Sequence, residues 1–204
     1  MTKVKICGLM EPEHVKAAVE AGADAIGFVF ADSSRRVTVN EAKELARDIP
    51  DKVWKIGVFV DASRKEMERA FQEVPLDFIQ FHGHESPDFV ELIGLPSIKA
   101  LSVASAEDVE KVARYKVDYY LFDAPGTVYQ GGSGVTFDWG HLRGAGISTE
   151  QLILAGGLND ENVGEAIRQV NPFMVDVSSG VESNKRKDAA LIRAFVRAVK
   201  DEER

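Results

Sequence analysis

Two rhythms of apolar and polar positions take turns along the 204 residues of the chain. Short β-branched and apolar runs recur near residues 3–7, 24–30, 53–60, 77–82, 97–101, 117–123, 151–155 and 173–178. Each has the length and composition of a strand. Between them lie stretches in which apolar or small residues return at i, i+3, i+4 and i+7. Ala42, Leu45, Ala46 and Ile49 form one set, and Met67, Ala70, Phe71 and Val74 another. Val163, Ala166, Ile167 and Val170 form a third, and Leu191, Ala194, Phe195 and Ala198 a fourth. Val15, Ala18 and Val19 mark the same stripe in a segment from about Glu13 to Ala21. Each stripe predicts a helix with one buried face. Asn159 is a candidate N-cap before the helix at Val163, and Thr38 or Asn40 before the helix at Ala42.

Strands that alternate with helices imply parallel pairing through right-handed crossovers. Eight such units in 204 residues predict an α/β fold, a single (β/α)8 barrel filling residues 1–204 as one domain. An open doubly wound sheet is the rival. It usually has fewer units at this length, and its G-x-G-x-x-G fingerprint does not occur here.

In a barrel the working residues stand at the C-terminal ends of strands and in the loops that follow. The residues there are suggestive. Strand one ends at Cys7-Gly8, strand four at Gln80-Phe81-His82-Gly83, strand six at Asp123, strand seven at Gly156-Gly157 and strand eight at Ser178-Ser179-Gly180. The loop after strand two holds Arg35 and Arg36. Alternation along strand one puts Val4 and Ile6 on the helix side and Lys5 and Cys7 inside the barrel. On strand eight it pairs Asp176 with Ser178 on one face. Closure makes strands one and eight neighbours, so Lys5 is expected to meet Asp176, since a buried ammonium needs a partner. A cation there would also favour a thiolate at Cys7.

Each of these residues also has a plain structural reading. A lone cysteine is often a small core hydrophobe, Asp123 can cap the loop that follows it, His82 can be a satisfied structural histidine, and adjacent arginines are often solvated. Position favours chemistry. A thiol is within reach of general-base work, and a carboxyl desolvated beside Phe122 and Leu121 suits a general acid. Arginines over the mouth can fork onto a carboxylate or phosphate. Gly157 and Gly180, with Ser179 beside them, can offer backbone N–H groups to a phosphate without a Cβ in the way.

Composition narrows the partners. A formal net charge of −8 disfavours nucleic acid, yet leaves room for a local pocket for one small anion. No apolar run approaches the roughly 18 residues of a membrane helix, and MTKVKICGLM lacks the apolar core of a secretory signal. One cysteine allows no internal disulfide. The expectation is a cytoplasmic protein, with no membrane or nucleic-acid partner, acting on a small molecule.

Several strings are more specific. KICGL, GFVF followed by SxRRV, GVFVD, the His-Gly after strand four, LFD before GGSG-x-TFDW, LAGGLN and VDVSSGVE occur in this order, from Lys5 to about Asp188. Together they resemble the phosphoribosylanthranilate isomerases of tryptophan biosynthesis. The resemblance implies an Amadori rearrangement of a phosphorylated aminosugar by a monomer or homodimer, with no metal and no organic cofactor. It implies Cys7 as general base, Asp123 as general acid, and Arg36 on the substrate carboxylate. It places the phosphate near Gly157 and Ser179-Gly180. His82 and Gly156 are grouped with these as candidate substrate-binding residues. The chain departs from the family pattern at Met10, where Thr is frequent, at Val135, where Lys is common, and at SNKRKD, which lacks a frequent Pro-Gly. Two rivals remain: a Schiff-base barrel using Lys99, and a barrel that binds a sugar phosphate without transforming it.

Overall fold

The computed structural model describes residues 1–125, 138–142 and 146–202. Eight parallel strands close into a barrel in chain order: β1 (Lys3–Cys7), β2 (Ala25–Val29), β3 (Trp54–Phe59), β4 (Phe78–Phe81), β5 (Ser97–Ser102), β6 (Tyr119–Asp123), β7 (Leu152–Leu154) and β8 (Met174–Val177). The helices are α1 (Pro12–Ala21), α2 (Val39–Ala46), α3 (Arg64–Glu73), α4 (Pro87–Ile93), α5 (Ala106–Glu110), α6 (Val163–Val170) and α7 (Ala189–Glu202). Between β6 and β7 the described residues hold short 3-10 turns, Trp139–Leu142 and Thr149–Gln151. All eight expected strands are present, within a residue or two at their ends.

Strand alternation divides the apolar side chains into two clusters. Val4, Ile6, Phe28, Ile79, Phe81, Phe122 and Val175 face outward and pack with the helices. Ala25, Ile56, Ile98, Leu121, Ile153 and Met174 fill the barrel, with Trp54, Phe78, Tyr119 and Phe173 packed against them. The six that fill it are small or aliphatic side chains, Met174 among them, and the four aromatic rings pack against them.

Helix ends follow local chemistry. Thr38 caps α2 and Ser63 caps α3, each in a reciprocal box with a glutamate three residues on, Glu41 and Glu66. Thr38, not Asn40, is therefore the cap of α2. The N-cap of α6 is Asn162. Asn159 stands one turn earlier, where its side chain accepts from the backbone of Glu161 and Asn162. In α7 the buried face is Ile192, Phe195, Val196 and Val199, a rotation from the expected Leu191, Ala194, Phe195 and Ala198. Both sets obey helical spacing, and burial goes to the set with more apolar area per side chain. Asp188 Oδ1 accepts from Ala190 and Leu191 N–H at 2.7 and 3.3 Å, so α7 starts cleanly without a Pro-Gly.

The SNKRKD segment folds into a hairpin of β9 (Glu182–Ser183) and β10 (Arg186–Lys187). Asn184 and Lys185 form its turn with φ of 52° and 62°. Two consecutive left-handed residues are the mark of a type I′ turn, and asparagine tolerates that conformation well.

The expected meeting of strands one and eight occurs. Lys5 and Asp176 are register partners, and Lys5 Nζ donates to Asp176 Oδ2 at 2.7 Å. Lys5 is fully buried. Removing one partner of such a pair leaves an uncompensated charge, whereas replacing both removes the problem. Asp176→Leu should lower unfolding free energy by about 3–5 kcal/mol, and the double change Lys5→Met with Asp176→Leu should recover most of it. Urea denaturation measures both. Equal destabilisation in the single and double variants would contradict this account.

Candidate active site

Cys7 is the last residue of β1 and Asp123 the last of β6; both are buried, at 8% and 6% exposure, at the C-terminal end of the barrel. Cys7 fits because its register partner on β2 is Gly27. A Cβ on Gly27 would stand 2.7 Å from the Cys7 sulfur and 3.1 Å from its Cα. The GFVF string thus holds a space-making residue for the thiol. Gly8 follows with φ of 77°, a conformation that favours glycine, and turns the chain away immediately after Cys7.

A polar chain crosses the barrel beneath these two residues. Lys5 Nζ donates to Asp176 Oδ2 and, at 2.9 Å, to Gln80 Oε1. Gln80 Nε2 lies 3.1 Å from His82 Nδ1, and His82 Nε2 lies 3.6 Å from Asp123 Oδ2. Burial pulls the pKa of Lys5 down, but the charges of Asp176 and Cys7 outweigh it and leave the ammonium above its usual value. For Cys7 the balance runs the other way. Burial pushes the thiol up, and the charge of Lys5 opposes this without overcoming it. The expectation that Lys5 would favour a thiolate is therefore corrected: the cation acts in that direction, and desolvation exceeds it.

Arg35 and Arg36 do different things. Arg35 forks onto Glu182, with Nε at 2.6 Å from Oε1 and Nη2 at 2.9 Å from Oε2. Lys187 Nζ reaches the same carboxylate at 2.8 Å, and also Ser178 O at 2.8 Å and Ser178 Oγ at 3.1 Å. Ser178 Oγ in turn donates to the Cys7 carbonyl at 3.2 Å. The hairpin is thereby clasped against the end of β1. Burial draws the pKa of Lys187 down, and Glu182 only partly offsets it. Arg36 is exposed, and its charge contributes a little to the lowered pKa of Glu66, after the hydrogen bond from Ser63.

The loops after β6, β7 and β8 interlock through glycine. Gly156 and Gly157 have φ of 88° and 65°. A Cβ on Gly156 would lie 2.4 Å from Ala124 N, and one on Gly180 would lie 1.9 Å from Leu158 O. Gly156, Gly157, Ser179 and Gly180 are all partly exposed on this rim, where bare backbone can approach an anion.

Lys99 stands elsewhere. Its β5 neighbours Ile98 and Ala100 face the barrel interior, so Lys99 points outward. There it donates to Glu85 Oε2 at 2.7 Å and to Gly83 O at 2.8 Å. The Schiff-base reading fails on geometry. Val135 and the segment around Gly131 lie outside the described residues. Gln80, Gly27, Glu182 and Lys187 escaped the reading of the sequence. Gln80 was within reach of it, because alternation along β4 puts Gln80 and His82 on one face.

The closed barrel, with its polar chemistry gathered at the C-terminal rim, places the chain among the (β/α)8-barrel enzymes. Within that class it belongs to the N-(5'-phosphoribosyl)anthranilate isomerase family: the profile of N-(5'phosphoribosyl)anthranilate (PRA) isomerase matches residues 4–198. The N-(5'-phosphoribosyl)anthranilate isomerase of Listeria welshimeri is 47% identical over 197 residues, covering 97% of this chain and 98% of that one. The crystal structure of the Thermotoga maritima phosphoribosyl anthranilate isomerase superposes with a TM-score of 0.90 at 36% identity, covering 98% and 100% of the two chains. A phosphoribosyl anthranilate isomerase crystallised with reduced 1-(o-carboxyphenylamino)-1-deoxyribulose 5-phosphate gives a TM-score of 0.86 at 35% identity, over 98% and 100% of the chains. Family membership sets aside the barrel that merely binds.

The raised thiol carries a direct consequence. The thiolate is the reactive form, so its fraction in the ligand-free protein rises only as pH passes above the ordinary cysteine value of about 8.5. Alkylation of Cys7 by iodoacetamide should therefore accelerate along a limb lying above that pH. A plateau already reached near neutrality would contradict the dominance of burial over Lys5.

Proposed function

We propose that the chain converts N-(5'-phosphoribosyl)anthranilate into 1-(2-carboxyphenylamino)-1-deoxy-D-ribulose 5-phosphate by general acid–base catalysis, with Asp123 as acid and Cys7 as base. The observation that carries this reading is the placement of a buried thiol and a buried carboxyl at the ends of β1 and β6, on one rim of one barrel.

Protonated Asp123 gives its proton to the ribose ring oxygen as the bond from that oxygen to the first sugar carbon breaks. The nitrogen lone pair fills the gap and leaves an iminium ion. That cation acidifies the hydrogen on the second sugar carbon, which the Cys7 thiolate removes. The electron pair forms the carbon–carbon double bond of an enolamine, and the nitrogen becomes neutral. Protonation of the first carbon, with loss of the hydroxyl proton on the second, then gives the ketone, the Cys7 thiol losing a proton and the Asp123 carboxylate regaining one to restore the starting state. A thiolate made scarce by burial is also a stronger base once formed, and Lys5 supplies the opposite charge beside it.

Arg36, exposed in the loop after β2, takes the anthranilate carboxylate, where a guanidinium matches the carboxylate fork. Gly156, Gly157, Ser179 and Gly180 cradle the phosphate between the β7 and β8 loops, and His82 lines the mouth beside Asp123. The unit is a monomer or homodimer of the cytoplasm, where a free thiol stays reduced. Among the described residues no helix is long and apolar enough to cross a membrane.

Cys7→Ser and Asp123→Asn should each lower kcat by about 10²–10⁴-fold while KM stays within a few-fold of wild type. Arg36→Ala should raise KM more than it lowers kcat. Loss of substrate fluorescence follows all three. Near wild-type kcat in either of the first two variants would remove that residue from the chemical steps.

A further inference from the structure

We infer that Gln80 locks His82 in the tautomer protonated on Nε2, and that His82 thereby acts as a positioning residue for Asp123. The inference rests on the reading of Asp123 as the general acid.

Lys5 fixes the orientation of each group that follows. An ammonium has donors only. The Gln80 atom at 2.9 Å from Lys5 Nζ is therefore the carbonyl oxygen Oε1. That orientation turns the amide NH₂ toward His82 Nδ1, at 3.1 Å. The NH₂ is a donor, so Nδ1 must present its lone pair. The proton of the neutral ring then sits on Nε2. An imidazolium would set an Nδ1–H against the NH₂, donor against donor.

Nε2 is buried and has no hydrogen-bond partner among the described residues. It stands 3.6 Å from Asp123 Oδ2. An Nε2–H there can only donate, so the carboxyl proton of Asp123 belongs on Oδ1. Once Asp123 has given up that proton, a shift of several tenths of an ångström brings Nε2–H into a charge-assisted hydrogen bond with Oδ2. The contact strengthens as the proton leaves, which is the kind of interaction that accelerates a step without tightening the ground state. The Lys5 that faces Asp176 and Cys7 is thus also the group that orients the acid, through Gln80 and His82.

The test is nitrogen–proton NMR of the histidine side chains in the full-length protein, with His82→Gln identifying the His82 signals among the four histidines. His82 should be protonated on Nε2 and bare on Nδ1. Gln80→Glu keeps an acceptor for Lys5 and turns a second acceptor toward His82, so the proton should move to Nδ1. In that variant kcat should fall by about tenfold or more with KM within about twofold. An Nδ1-protonated His82 in the wild-type protein, or a flipped tautomer with unchanged kcat, overturns the inference. If Gln80→Glu does not fold, the wild-type spectrum and the kcat of His82→Gln decide: a bare Nδ1 with a tenfold or greater loss supports it, and any other result overturns it. Asp123→Asn separates the two levels. Full activity there defeats the acid itself, whereas an inactive Asp123→Asn with an Nδ1-protonated His82 defeats only the tautomer lock.

Discussion

The ammonium of Lys5, sealed inside the barrel, is the constraint on which the site is built. An unpaired charge at such a depth costs several kcal/mol, so partners must converge on it. Asp176 comes from the neighbouring strand β8, and Gln80 from across the barrel on β4. The same alternation that puts Lys5 inside puts Cys7 one step higher on the same face. It also puts His82 one step above Gln80, within reach of Asp123. One buried cation thereby sets the surroundings of Cys7 on one side and, through Gln80 and His82, those of Asp123 on the other.

The rim above this layer is held by charge and by missing side chains. Glu182 takes both Arg35 and Lys187, and Lys187 hands the restraint to Ser178 and so to the carbonyl of Cys7. Adjacent arginines divide the work, one tying the β2 loop to the hairpin and the next left exposed. The glycines act by absence. Gly27 leaves volume for a sulfur, while Gly156 and Gly180 let three loops approach more closely than any Cβ permits. A rim built this way frames a site whose thiol and carboxyl belong to distant strands, β1 and β6.

Much of this was legible in the sequence because strand period and barrel closure are strong constraints. Eight strands, the inward pair Lys5 and Cys7, and the contact of Lys5 with Asp176 follow from alternation and from closing β8 onto β1. The helix faces were legible where bulky residues mark one stripe. In α7 small alanines satisfied the spacing equally well, and only packing decides between the two faces. The balance at Cys7 was not legible either, because burial and a neighbouring cation push a thiol in opposite directions. Glu182 and Lys187 were hidden for a different reason. Their pairing with Arg35 and Ser178 depends on a two-residue turn at Asn184-Lys185 that folds the hairpin back over the rim.

Neutron diffraction from a perdeuterated crystal locates the protons on which the polar network depends. Lys5 Nζ should carry three deuterons, one aimed at Asp176 Oδ2 and one at Gln80 Oε1, with both amide deuterons of Gln80 on the atom facing His82. A neutral Lys5 carrying two deuterons, or a Gln80 amide turned the other way, would contradict this arrangement.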